Sequence, residues 1–114
     1  MQSNSCLYRA LKKVVAYQFG IHDLVSDVFD ANNDGRGIVV GRLPTVIDDA
    51  LRPHGICIDA IYANVIGDID KPHLLRSPGL VPAPNITMVD NGHAEACLPG
   101  DTVGGVMAIV LRKV

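Results

Sequence analysis

The sequence contains no tryptophan and only five aromatic residues among its 114 positions. So few rings argue against a surface that binds nucleic acid by base stacking. A net charge of −2, with scattered Lys and Arg, forms no basic patch for nucleic acid or an anionic membrane. The longest apolar run, residues 106–111, is far too short to span a bilayer, and the polar N-terminus is unlike a signal peptide. These absences predict a cytoplasmic protein with neither nucleic acid nor membrane as a partner.

Cysteine is also scarce, since the chain has only Cys6, Cys57 and Cys97 and no Cys-x-x-Cys motif. Three cysteines cannot all pair with one another, so the pattern indicates free thiols in a reducing compartment. His93 and Cys97 could share one face of a strand, but about 13 Å of extended chain would separate them, which is too far for one zinc ion. The sequence therefore predicts no metal site and no cofactor.

The composition is that of a single globular domain over residues 1–114, with 48% hydrophobic and 19% charged residues. Helical periodicity fills the part from about 4 to 54, and strand-like alternation follows from about 55 to 114. This order predicts an α+β fold in which N-terminal helices pack on a small antiparallel β-sheet.

The individual elements follow from local patterns. The predicted helices are 6–19, ended by Gly20, a short one around 24–29, and one that begins near Pro44 and ends before Pro53. The predicted strands are 56–62, 86–89, 93–98 and 106–111. We expect strand 56–62 to be buried on both faces, because apolar residues occupy most of its positions. Residues 64–85 contain four prolines and predict a long surface connection.

A cysteine opens the first predicted helix. Three small polar residues precede Cys6, and apolar residues then recur with the period of a helix that has one buried face, which leaves Arg9, Lys12 and Lys13 on the other side. Backbone N–H groups and the helix dipole at such a start favour a thiolate and can bind an oxyanion. The alternative is structural, since a cysteine beside an apolar helix face commonly packs in the core.

A histidine with a nearby carboxylate begins the third predicted strand. His93 follows the turn at residues 90–92, and Glu95 lies two residues further on the same strand face, where its carboxylate can reach the imidazole. A cysteine protease needs a thiol, an imidazole and a group that orients the imidazole. Asn91 and Asp101 are alternative orienting residues, and a surface histidine beside a turn is the structural alternative.

The segment around Cys6 resembles the nucleophile motif of OTU-type and other papain-like cysteine proteases. The matching residues are Cys6, Tyr8, Arg9, Ala10 and Leu11. Ser3 and Asn4 depart from the motif, which has Asp and Gly there. Residues 91–93 with Glu95 resemble the histidine strand of the same superfamily, although Ala94 replaces its usual aromatic residue.

A second segment, residues 41–45, is similar to one in the potyviral helper-component protease and related viral leader proteases, where it opens a helix at a comparable distance after the cysteine. The resemblance implies a papain-like cysteine endopeptidase that processes a viral polyprotein, including its own chain, with a possible side activity on ubiquitin. Cys6, His93 and Glu95 would be catalytic. The backbone N–H of Cys6, with the side chain of Asn4 or Gln2, would bind the oxyanion. The partner would be a polypeptide substrate in the host-cell cytoplasm.

Two alternatives belong to other functional classes. A papain-like domain without catalysis would serve protein interaction. Residues 30–35 match the opening of an EF-hand calcium loop, with Asp30, Asn32 and Asp34 at its first three ligand positions. Gly41 stands at the twelfth position, where the bidentate Glu should be, so the second half of the loop does not match.

Overall fold

The computed structural model describes residues 5–32, 38, 40–63, 81–90, 92–101, 103 and 105–114. The helices in this part of the chain are α1 (Cys6–Phe19), α2 (Asp27–Ala31) and α3 (Leu43–Leu51), with 3₁₀ turns at Val40–Arg42 and Arg52–His54. The strands are β1 (Ile56–Ala63), β2 (Asn85–Asp90), β3 (His93–Cys97) and β4 (Met107–Lys113). The predicted α+β architecture is confirmed: three helices accompany a four-stranded antiparallel sheet in the described residues. Among these helices, none has the length and apolar content needed to cross a membrane.

Helix α1 forms as the sequence predicts, with one continuous buried face. Its buried residues are Leu7, Ala10, Leu11, Val14 and Val15. The helix ends at Gly20, whose φ of 69° is a left-handed conformation that glycine adopts without strain. The N–H groups of Gly20 and Ile21 then donate to the carbonyls of Ala16 and Val15, which satisfies acceptors of the last turn.

Of the two shorter helices, α2 begins later than the sequence predicts, at Asp27 rather than near residue 24. The carbonyl of Leu24 accepts a hydrogen bond of 2.7 Å from the Tyr8 hydroxyl. The Tyr8 ring also packs on Phe29, with ring centroids 5.4 Å apart, which ties α1 to α2. Helix α3 begins at Leu43, next to the predicted start at Pro44, and has no side-chain cap.

The sheet has the strand order β1-β4-β2-β3, so the last strand of the chain lies in the middle. Strand β4 pairs with β1 on one side and with β2 on the other, and β3 pairs only with β2 among the described strands. The expectation that residues 56–62 are buried on both faces is wrong. Asp59 and Ile61 are exposed. Burial of both faces needs a layer on each side of the sheet, and α3 packs on one face of β1.

The main hydrophobic core lies between the helices and one face of the sheet. Helix α1 packs on β3 and β2, while α3 packs on β1. The residues that are almost fully buried include Leu11, Val14, Val15, Leu43, Val46, Ile47, Leu51, Ile56, Ile86, Ile109 and Leu111. In this packing α1 runs in the same direction as β3. Near the C-terminal end of α1, the Gln18 side chain donates a hydrogen bond of 3.0 Å to the Leu111 carbonyl of β4.

Candidate active site

The first turn of α1 lies beside the turn that joins β2 to β3. Cys6 is the first residue of α1, and its Sγ atom is 3.7 Å from the backbone oxygen of Gly92, to which the thiol can donate. Gly92 directly precedes His93, so residues 86 positions apart in the chain meet here. The packing of α1 on β3 is what brings the thiol to the histidine strand.

The His93 imidazole is bound by the carboxylate two residues further along β3. His93 Nε2 and Glu95 Oε1 are 2.9 Å apart. The two side chains are 47% and 48% exposed, so the pair lies at the surface of the sheet and not in the core. The intervening Ala94 is buried against the helices, which agrees with the predicted alternation along the strand. Cys97 was predicted on the same strand face as His93 and Glu95, but its side chain is buried.

A single open cleft contains these groups. It has a volume of about 480 Å³ and lies between one flank of α1 and the strand β3. Its lining residues are Cys6, Arg9, Ala10, Lys13, His93, Ala94, Glu95 and Ala96. The three side chains predicted as catalytic therefore line one cavity.

The contact with Glu95 determines which ring nitrogen of His93 can serve a thiol. In the neutral imidazole one nitrogen donates and the other accepts. If Nε2–H donates to Glu95 Oε1, Nδ1 is the acceptor, and this is the tautomer that a general base needs. The arrangement thus places an imidazole, whose orientation a carboxylate maintains, in the same cleft as the Cys6 thiol.

The predicted oxyanion site lies only partly within the described residues. The Cys6 backbone belongs to the first turn of α1, where N–H groups have no partners inside the helix. Ser5 precedes it and makes no side-chain cap to the helix. Asn4 and Gln2, the predicted side-chain donors, lie outside the described residues.

No protein-family model, no curated protein and no solved structure matches this chain. The protease interpretation therefore depends on the geometry of the cleft and on the motif resemblance.

The other candidate residues lie elsewhere. Asp101 accepts a hydrogen bond of 3.0 Å from the Leu98 N–H, so its carboxylate closes the turn after β3 and not the site. Asn91 lies outside the described residues, as do residues 33–37 of the candidate calcium loop. Within the described ranges, no three His, Cys, Asp or Glu side chains are grouped in a way that could bind a metal ion.

Two basic residues of the cleft were not predicted to lie there. Arg9 and Lys13 line it together with Cys6, whereas Lys12 lies over the Tyr8 ring with its Nζ 5.7 Å from the ring centroid. The spacing of Arg9 and Lys13 from Cys6 in the sequence could have indicated this position. Positions three and seven residues after Cys6 share its side of a helix, so Arg9 and Lys13 follow the thiol along one stripe.

Proposed function

We propose that the protein is a papain-like cysteine endopeptidase in which Cys6 is the nucleophile, His93 the general base and acid, and Glu95 the residue that orients His93. One observation carries the proposal: Cys6 and His93 line the same open cleft, and Glu95 binds the Nε2 nitrogen of the imidazole. The order of helices before sheet and the motif around Cys6 also support it.

The chemistry is acyl transfer. His93 Nδ1 takes the proton of the Cys6 thiol, and the sulfur attacks the scissile carbonyl carbon, so that a C–S bond forms and the carbonyl electrons move to oxygen. The first-turn N–H groups of α1 bind that oxyanion, with Asn4 or Gln2 as candidate side-chain donors. When the intermediate collapses, the C–N bond breaks and protonated His93 gives its proton to the leaving amine.

The second half of the reaction uses the same groups. Water enters the cleft and loses a proton to His93 as it attacks the thioester. The C–S bond breaks, the peptide acid leaves, and the Cys6 sulfur recovers the proton from His93. The open side of the cleft supports a polypeptide substrate, because a peptide can lie along it without entering an enclosed pocket. A viral polyprotein is the substrate that the resemblance favours, and ubiquitin conjugates are a possible second substrate.

The position of Val114 limits how the enzyme can process its own chain. Met88 pairs with both Ala94 and Met107, so β3 and β4 start at the same level and run in the same direction. Val114 then lies about 26 Å beyond His93 in the strand direction, and two strand spacings to the side. The distance between the two residues is therefore roughly 28 Å. A chain that continues from Val114 needs at least about eight extended residues to return to the cleft. An intramolecular cleavage on that side therefore requires a site beyond this distance.

The decisive experiment expresses the domain within a longer precursor and follows cleavage on gels. Cys6→Ala and His93→Ala should each abolish cleavage, and the double variant should be no worse, because either change alone removes the thiol–imidazole pair. Glu95→Gln should keep part of the activity, since an amide oxygen can still accept a hydrogen bond from Nε2–H. Cys57→Ala is the matched control and should cleave normally.

Melting temperatures distinguish lost chemistry from lost folding. The His93–Glu95 pair is half-exposed, so its removal should cost at most about 1 kcal/mol. Cleavage by the Cys6→Ala precursor, or unfolding of His93→Ala, would contradict the proposal.

A further inference from the structure

The cleft lies against β3, at the edge of the sheet that no other described strand covers. Four consecutive strand residues, His93 to Ala96, line it. Consecutive residues of a strand point to opposite faces, so a cavity lined by four in a row agrees with a position along the strand's edge. β3 is the last strand in the sheet order, and no other described strand pairs with that edge. Backbone N–H and C=O groups at such an edge are ready to pair with another extended chain.

The opposite wall is a helix flank with basic side chains. Cys6, Arg9 and Lys13 follow one another on that flank, and Lys13 lies about 10 Å from Cys6 along the helix axis. That length equals about three residues of an extended peptide. The small side chains of Ala10, Ala94 and Ala96 form the rest of the lining on this side, which lets a peptide backbone come close.

A strand bound in the cleft would have basic side chains next to one of its faces and the acidic Glu95 next to the other. Side chains that point to the helix side meet Arg9 and Lys13, while those that point away meet the side of β3 that carries Glu95. A strand sends alternate residues to the two sides. Acidic residues at every second position would therefore lie next to the two basic side chains.

We propose that this cleft binds an extended peptide as a fifth strand beside β3, and that Arg9 and Lys13 select acidic side chains within about three residues of the bond that Cys6 attacks. The inference deepens the proposed function, since it names the substrate class of the same site. It needs only binding, so it can be tested without cleavage.

The test measures peptide binding to the full chain carrying Cys6→Ala. The probe is an N-acetylated, C-amidated octapeptide of alternating Glu and Val. One comparison peptide has Gln in place of every Glu, and a second has the same composition in blocks of two Glu and two Val. Fluorescence anisotropy of labelled peptides gives the affinities, and hydrogen exchange with fragment analysis locates the bound strand.

We expect the alternating Glu peptide to bind at least about fivefold more tightly than either comparison peptide, which corresponds to about 1 kcal/mol, the scale of one well-placed charge pair. Lys13→Gln should remove most of this preference. Lys113→Gln, an equal change of charge at the end of β4, should not. Binding should also protect the amides of residues 94–96 from exchange.

Equal affinities for the Glu and Gln peptides, equal effects of the two lysine variants, or protection away from β3 would each overturn the inference. These outcomes are distinct from a failure of the proposed function. Selective binding by a protein that cleaves nothing would refute catalysis alone, whereas cleavage with no acidic preference would refute only the substrate class.

Discussion

Replacing Gly105 by alanine should destabilise the domain more than the same replacement at Gly20 or Gly41. A Cβ atom at this position would overlap the backbone oxygen of Met88 and the Cγ2 atom of Thr87, and would lie 3.1 Å from the Met88 carbonyl carbon. The next residue, Val106, donates its N–H to the same Met88 oxygen at 2.8 Å. The methyl group would therefore push the chain away from β2 just where β4 is about to begin.

The expected magnitude follows from three effects. Overpacking against backbone costs about 1–3 kcal/mol, and loss of the Val106–Met88 hydrogen bond about 1 kcal/mol. Alanine also restricts the unfolded chain, which offsets about 0.4–1 kcal/mol. The net loss is about 1–3.5 kcal/mol of the free energy of unfolding. At about 4 °C per kcal/mol for a domain near 100 residues, the melting temperature should fall by roughly 4–14 °C.

Two other glycines are matched controls for the same substitution, and thermal unfolding followed by circular dichroism compares all three. Gly41 has no atom within 4 Å of a built Cβ and no positive φ, so Gly41→Ala should leave the melting temperature within about 1 °C or raise it slightly. Gly20 has equal space but a φ of 69°, so Gly20→Ala should cost about 1 kcal/mol through strain alone. If the Gly105→Ala and Gly41→Ala variants have the same melting temperature, the close approach of residue 105 to β2 is refuted.

Three further predictions concern the thiols, calcium and the precursor. Iodoacetamide at mildly acidic pH should modify Cys6 fastest, Cys57 more slowly and the buried Cys97 only on unfolding, as peptide mass spectrometry would show; equal rates at the three would count against an activated thiol. Millimolar calcium should leave the melting temperature unchanged, and a rise of several degrees that Asp30→Ala abolishes would restore the EF-hand hypothesis. N-terminal sequencing of a fragment released in cis from the C-terminal side should place its cleaved bond at least about eight residues beyond Val114, and a bond closer than that would contradict the strand geometry.

Local sequence patterns predicted the helices and strands well where the element has one apolar face and one polar face. The apolar stripe of α1 and its end at Gly20 are examples, because helix periodicity and left-handed glycine depend only on nearby residues. The pattern failed for β1. An apolar strand can be covered on one face or on both, and this depends on which elements pack against the sheet, here α3 on β1.

The candidate site divides in the same way. Alternation along a strand was enough to predict that Glu95 shares a side with His93, and their contact of 2.9 Å agrees with it. No local pattern, however, indicates that the first turn of α1 lies beside Gly92, or that Arg9 and Lys13 form a wall opposite β3. Those relations depend on which strand is at the edge and on which face of it α1 packs.

The sequence by itself determined the α+β class, the register of the apolar faces and the residue types that could perform acyl transfer. Each of these depends on periods of two or 3.6 residues, which are properties of neighbouring positions. Only the tertiary structure decided that Cys6, His93 and Glu95 line one cleft, and that the cleft has a strand edge on one side and cationic side chains on the other. The physical reason is that the packing of α1 on β3 joins residues 86 positions apart. Such packing is selected by the burial of apolar surface over the whole chain, so no short segment of sequence predicts it.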